Sequence, residues 1–253
     1  MRIPFAAAFA AALMTLSVTL APVALSATPA AATPSAARPA GPPKLVRETV
    51  AYGDQDKSVS QIAHVHELQY RLTWAGVYDG PVTGYFGDLT KAAVQRYQRR
   101  THLPVTGTAD RATWKRLIAA TIRGRADIPA ACDDGTGWDV CYDRTRHEVT
   151  LWHGGTLINA WLVRGGASDH QTRTGDFRVY YRDIDHVSSL YNSPMPFSQF
   201  FSGGEAFHGS ATMIDPFTGH SHGCINMYIE DARQLWHLTS KVRLAVHVHG
   251  AWS

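Results

Sequence analysis

His147-Glu148-Val149-Thr150-Leu151-Trp152 decides the architecture of the second half of the chain. His147, Val149 and Leu151 alternate with Glu148, Thr150 and Trp152, the period of two that sends successive side chains to opposite faces of a strand. Gly154-Gly155 then turns the chain into a second apolar run, Leu157 to Val163. Phe177-Arg178-Val179-Tyr180-Tyr181 and Leu244-Ala245-Val246-His247-Val248 read as further strands, with one helix around Asp231 to Thr239. Residues 137–250 are therefore expected to form a mostly β domain. His247 and His249 share one face of its last strand and are expected as a solvated or hydrogen-bonded face, not a site.

Upstream the period changes to that of a helix. Pro81-Val82-Thr83-Gly84 recurs 23 residues later as Pro104-Val105-Thr106-Gly107, and the phase continues through Thr90/Thr113 and Val94/Leu117. Each copy reads as a turn closed by Gly, then a helix. Asp110 is a suitable N-cap, followed at helical spacing by Trp114, Leu117 and Ile118. Ala93, Val94 and Tyr97 make the equivalent stripe in the first copy. Ile62, Val65, Leu68 and Leu72 make a third, ended by Gly76. Residues 58–121 are expected as a compact three-helix unit in which Trp114 packs rather than faces a ligand. His64, His66 and His102 are expected on helix surfaces. The fold class is α+β multidomain.

The N-terminus reads as export. Arg2 precedes an uncharged apolar run from Ile3 to Leu25, and Ala24-Leu25-Ser26-Ala27 offers small residues for cleavage. Residues 1–27 are expected as a signal peptide; the alternative, an uncleaved anchor, is weakened by Pro4 and Pro22. Residues 28–57 are expected as an Ala/Pro-rich spacer. A net charge of +3 with no dense Lys/Arg stripe gives no reason to expect a nucleic-acid partner. With 253 residues there is length for one or two cored domains, and three cysteines exclude a cysteine-dense miniature scaffold.

Cys132 and Cys141 are nine positions apart, with Asp133, Gly135 and Gly137 able to turn the chain between them. In an exported protein that pair is expected to close a disulfide, contributing roughly 2–3 kcal/mol, with two unpaired thiols as the alternative. Cys224 is then the odd cysteine. A nucleophile and a buried structural thiol are both open on that argument alone.

The segment around it bears on the choice. Ala206-Phe207-His208-Gly209-Ser210 is followed by Ser221-His222-Gly223-Cys224-Ile225-Asn226. A free thiol is only about 3% thiolate at pH 7, so a neighbouring imidazole must take its proton or stabilise its charge. His222 and His208 are the candidates. Gly223 allows a sharp turn before the thiol, and the Gly223 and Cys224 N–H groups could hold an oxyanion. Ser221 and Asn226 place hydrogen-bonding groups on either side.

Two families are resembled. Gly76-x-Tyr78-Asp79-Gly80, Gly84-Tyr85-Phe86-Gly87, Ala93-Val94-x-x-Tyr97-Gln98 and Leu103-Pro104-Val105-Thr106-Gly107 resemble the peptidoglycan-binding repeat domain. His208, 14 positions before His222, and Ser221-His222-Gly223-Cys224-x-Asn226 resemble the catalytic motif of the L,D-transpeptidase family. Gly165-Gly166, Thr172-x-Thr174-Gly175-x-Phe177 and Met195-Pro196-Phe197 extend that likeness, although Arg173 stands where many members have Pro. The resemblance implies Cys224 as nucleophile, His208 as general base and acid, His222 beside them, and Gly223 and Cys224 amides as oxyanion hole. It implies substrate contacts at Ser221, Asn226, Gly209, Tyr191 and Met195. It further implies acyl transfer between peptidoglycan stem peptides, no cofactor, no metal, a monomer, and a covalent adduct of Cys224 with carbapenems. The competing readings are an L,D-carboxypeptidase, a catalytically silent wall-binding protein, and a zinc site built from His208, His220, His222 and Cys224.

Overall fold

The computed structural model describes residues 47–122, 128–132 and 134–253. The signal peptide expected over residues 1–27 and the first part of the spacer lie outside them. Three helices come first: α1 Val65–Trp74, α2 Asp88–Arg100 and α3 Arg111–Ala120. Their apolar stripes meet as expected, with Val65, Leu68, Leu72, Ala93, Val94, Tyr97, Trp114, Leu117 and Ile118 all buried in one core. Trp114 is fully buried and is a packing residue. Asp110 caps α3, accepting from the Thr113 N–H at 2.8 Å.

The repeat has a physical cause. Gln69 on α1 accepts from the Thr83 and Gly84 N–H groups and donates to Thr90 Oγ1 on α2. Gln98 on α2 does the same for the second turn, accepting from Gly107 N–H and donating to Thr113 Oγ1 on α3. Each glutamine thus ties the next Gly turn to the helix after it. Gly84 has φ +68°, and a Cβ there would sit 2.1 Å from His66 Cε1. Gly84→Ala is expected to cost about 2–4 kcal/mol by combining left-handed strain with overpacking, as measured by chemical denaturation. A loss below about 1 kcal/mol would show that His66 moves aside.

Two expectations are corrected here. Residues 47–57 are not spacer: Val50 bridges Ala109, Gln55 bridges Tyr85, and Arg47, Val50 and Asp56 are buried. The apolar and acidic residues at the end of that stretch have partners waiting in the helical unit. His64 and His66 are buried, not on a helix surface. His66 Nδ1 meets the Asp56 carboxylate at 2.7 Å, and the same carboxylate accepts the Ala63 and His66 N–H groups at the start of α1. His64 contacts Glu48 and Asp231; burial opposes its charge, but the two carboxylates outweigh it and push its pKa up to about 10. His102 is exposed.

The remaining chain is mostly β, as expected. A five-stranded sheet runs in the order β3-β2-β1-β9-β4, built from β1 Trp138–Asp143, β2 Glu148–His153, β3 Thr156–Leu162, β4 Gly175–Arg178 and β9 Leu244–His249. A four-stranded sheet runs β5-β6-β7-β8, from β5 Tyr181–Val187, β6 Pro194–Ser202, β7 Glu205–Gly209 and β8 Ile225–Met227. Pairing is antiparallel except for β1/β9 and β7/β8. Helix α4, Ile229–Thr239, follows β8 directly. Val140, Val149, Leu151, Trp161, Phe207, Ile225, Leu235 and Val246 belong to one core spanning both sheets and α4.

The run from Phe177 to Tyr181 is not one strand. Val179 N–H bonds to Leu244 O in the first sheet and Tyr180 N–H to Phe200 O in the second. The chain therefore changes sheet at that corner, a bend that alternation alone does not disclose. Cys132 and Cys141 are disulfide-bonded, with Cα atoms 5.9 Å apart and Trp152 packed beside them. His247 is held between Asp176 and Asp139. Among the described residues no helix is long and apolar enough to cross a membrane.

Candidate active site

Strands β7 and β8 run parallel with His208 opposite Asn226. Asn226 is in turn bridged to Arg164, the two backbones exchanging N–H···O bonds of 2.9 and 2.8 Å. Laterally paired residues share a face, and so do residues two apart along a strand. His208, Asn226 and Arg164 therefore stand in one row, and Cys224 leaves the chain on the same side. All four line a cavity of about 520 Å³.

His208 is buried, and its Nδ1 lies 2.9 Å from Gly209 O. A carbonyl accepts only from an N–H, so the proton sits on Nδ1 and Nε2 keeps its lone pair. Burial holds the ring's pKa down at about 4, with the Arg164 and His186 charges acting in the same direction against the Gly209 carbonyl. The imidazole is neutral at physiological pH. Gly209, expected at the substrate, instead orients this ring through its carbonyl; a Cβ there would sit 3.1 Å from both Ile229 Cα and Pro196 Cγ.

Cys224 is half-buried, with Sγ 3.8 Å from Gly204 O. Burial pushes the thiol up to about 11; the Ala206 N–H opposes that and the Glu205 carboxylate adds to it. At rest the pair is a neutral thiol and a neutral imidazole, not an ion pair. Gly223 has φ +114°, giving the sharp turn its position suggested.

Other assignments shift. Ser221 Oγ accepts from Gly223 N–H at 3.1 Å and donates to Cys224 O at 2.5 Å, so it braces the Cys224 turn. The Gly223 N–H, expected in the oxyanion hole beside that of Cys224, is spent on this bond. His222 is exposed and stacks on Tyr191, with ring centroids 4.3 Å apart, at the cavity mouth. It lines the same cavity as Cys224. Met195 and Asn226 line the cavity, and Asn226 Oδ1 is buried without a hydrogen-bond partner. Metal-capable donors gather, among the described residues, at His64, Glu67 and Asp231, not around Cys224. That trio is already neutralised by Arg47, which reaches Glu67 and Asp231.

Comparison with protein-family models matches residues 62–117 to a peptidoglycan binding domain and residues 138–248 to the L,D-transpeptidase catalytic domain. The chain carries an L,D-transpeptidase catalytic domain behind a peptidoglycan-binding domain. Among solved structures, an L,D-transpeptidase from Stackebrandtia nassauensis is 22% identical with a TM-score of 0.51, the match covering 83% of this chain and 98% of that one. An L,D-transpeptidase from Xylanimonas cellulosilytica is 23% identical with a TM-score of 0.47, covering 81% and 98%. At 22% identity the first of these likenesses is one of fold. No curated protein matches. The enzyme is thus a peptidoglycan-modifying L,D-transpeptidase associated with the cell wall.

Sequence reasoning missed three parts of this L,D-transpeptidase site. Arg164 lies outside the motif and reaches it through the bridge to Asn226 and a bond to Ser210 Oγ. Glu205 accepts the Arg173 N–H, a bond that the Pro usual at that position could not donate; the departure at Arg173 was the available signal. Tyr70 on α1 donates to Asp215 and packs on Phe217, so the helical domain buttresses the loop leading into Ser221. Only long-range contact links those residues, and no local pattern announces it.

Proposed function

We propose that the chain is an exported cysteine L,D-transpeptidase that forms 3→3 crosslinks between peptidoglycan stem peptides. The observation that carries this reading is the His208 ring, neutral, fixed by Gly209 O, and on the same cavity face as Cys224. In the first half-reaction Sγ bonds to the carbonyl carbon of the third residue of a tetrapeptide stem while the thiol proton passes to His208 Nε2. The tetrahedral oxyanion is held by the Cys224 N–H. Collapse breaks the C–N bond, and His208 returns the proton to the departing D-Ala amine, leaving a thioester. In the second half-reaction a side-chain amine of another stem attacks that thioester and gives its proton to His208; the C–S bond breaks, and His208 passes the proton to the departing Cys224 sulfur, restoring the neutral pair. The peptidoglycan-binding domain raises the local concentration of catalytic domain at its substrate.

A thiol with its pKa at about 11 argues for proton removal during attack, not for a stored thiolate. The base must be neutral, so kcat/KM rises with pH through the His208 pKa of about 4 and is flat near pH 6.5. A pH–rate profile of the purified enzyme checks this; an acid limb centred near 6.5 would mean that His208 is solvated. Carbapenems are expected to acylate the same sulfur, read as a mass increase on intact protein that iodoacetamide pretreatment blocks.

The decisive experiment is product analysis by mass spectrometry after incubation with disaccharide-tetrapeptide. A dimer lacking one D-Ala establishes transpeptidation. A tripeptide monomer alone means that water resolves the thioester and the enzyme is an L,D-carboxypeptidase. Unchanged substrate leaves a wall-binding protein without this activity.

A further inference from the structure

We propose that Arg164 binds the terminal carboxylate of the stem peptide and so restricts Cys224 to the bond before the last residue. This rests on the cysteine acyl-transfer reading and adds to it what the site recognises. Arg164 is 7% exposed, lines the cavity, and carries a charge that is not lost in any accessible pH range. Its guanidinium donates to Ser210 Oγ at 3.1 Å, Thr212 Oγ1 at 2.8 Å and Thr218 O at 3.2 Å, all neutral acceptors. Its buried Nε has no hydrogen-bond partner. Among the described residues no carboxylate lies within ion-pair distance of it. Burial alone shifts its pKa, downward. A desolvated cation with no counter-ion is costly, and it is normally retained where a ligand supplies the missing charge.

Position says which anion. Arg164, Asn226 and His208 are laterally paired, so their backbones stand about 4.8 Å apart in one row. His208 protonates the scissile nitrogen at one end. The carboxylate carbon of a C-terminal residue is only two bonds from that nitrogen, which directs the carboxylate along the row toward Arg164. Asn226, with its buried Oδ1 unpartnered, stands between them to accept an N–H. A peptide extended by one residue would place a neutral amide against the guanidinium instead.

The test is binding, which needs no turnover. Full-length Cys224→Ala protein is titrated calorimetrically with the tetrapeptide as free acid, as C-terminal amide, and with its side-chain carboxylates amidated instead. The free acid is expected to bind at least about 30-fold more tightly than the C-terminal amide, with side-chain amidation costing under about 3-fold. Adding Arg164→Gln should collapse the acid/amide preference to within about 3-fold, whereas Arg164→Lys keeps part of it. Equal affinity for acid and amide, a preference that survives Arg164→Gln, or a loss confined to the side-chain amides would each overturn the proposal. The acid/amide comparison on protein with Arg164 intact decides even if a variant folds poorly. Failure of the wild-type enzyme to release D-Ala would sink the reaction reading and leave this preference standing.

Discussion

Cys224→Ala is expected to release no D-Ala and form no crosslink, and His208→Gln to lower kcat/KM by about 10²–10⁴-fold. The sulfur is the atom that bonds to the acyl carbon, and no other thiol is available, because Cys132 and Cys141 are joined to each other. The His208 effect follows from the resting state. With the thiol pushed up to about 11, only about one molecule in ten thousand would hold a thiolate at pH 7. The imidazole must therefore move the proton during attack and again during expulsion of the amine. Glutamine can still hold a hydrogen bond to Gly209 O but offers no basic nitrogen. Residues that act as a unit are not additive, so the double variant should be no slower than Cys224→Ala alone. Single-turnover release of D-Ala, with melting temperatures as a folding control, makes the measurement. His208→Gln retaining activity within about 10-fold would sink the assignment and shift attention to a pre-formed thiolate.

The part of this site that was legible in the sequence is the part that is local. Ser221 to Asn226 and the turn at Gly223 fall within six residues, and the chemistry of a lone thiol beside histidines limits what they can do. The helical repeat was legible because Gln69 and Gln98 impose the same turn twice. What escaped depends on neighbours far apart in the chain. Ser221 and Gly209 carry groups suited to binding substrate, yet their bonds run inward to the Cys224 turn and to the His208 ring. His64 and His66 were expected on the surface because polar residues on a short helix usually are; each is buried against a carboxylate from another segment. Arg173 shows the converse, where a departure from the family pattern marked a real difference in hydrogen bonding.

Glu67→Gln is expected to destabilise the protein by about 3–5 kcal/mol, the usual cost of removing one member of a buried ion cluster. Glu67 on α1 receives Arg47 Nε at 2.8 Å and Arg71 Nε at 2.7 Å, and all three side chains are almost fully buried. Arg71 continues to Glu148 on β2, and Arg47 to Ala160 O on β3. The cluster therefore joins the helical domain to the catalytic sheet. Glutamine keeps the shape but leaves two interior guanidinium groups short of one negative charge. Burial alone would raise the Glu67 pKa, yet Arg47 and Arg71 outweigh it and hold the carboxylate below its ordinary value. A depressed carboxylate stabilises the fold above the unfolded value of 4.5, and that contribution is lost as pH falls toward the folded one. The acid-side fall in stability should accordingly be shallower in Glu67→Gln than in the wild type. Thermal unfolding should show a drop of about 6–20 °C near neutral pH. A companion variant separates charge from packing: Glu67→Leu with Arg71→Met removes a cation together with the anion and should recover much of the loss. A Glu67→Gln change under about 1 kcal/mol would mean that water reaches the cluster. Because α1 also carries Tyr70 onto Asp215 and Phe217, loosening this anchor should slow catalysis before it unfolds the chain, through the loop that delivers Cys224.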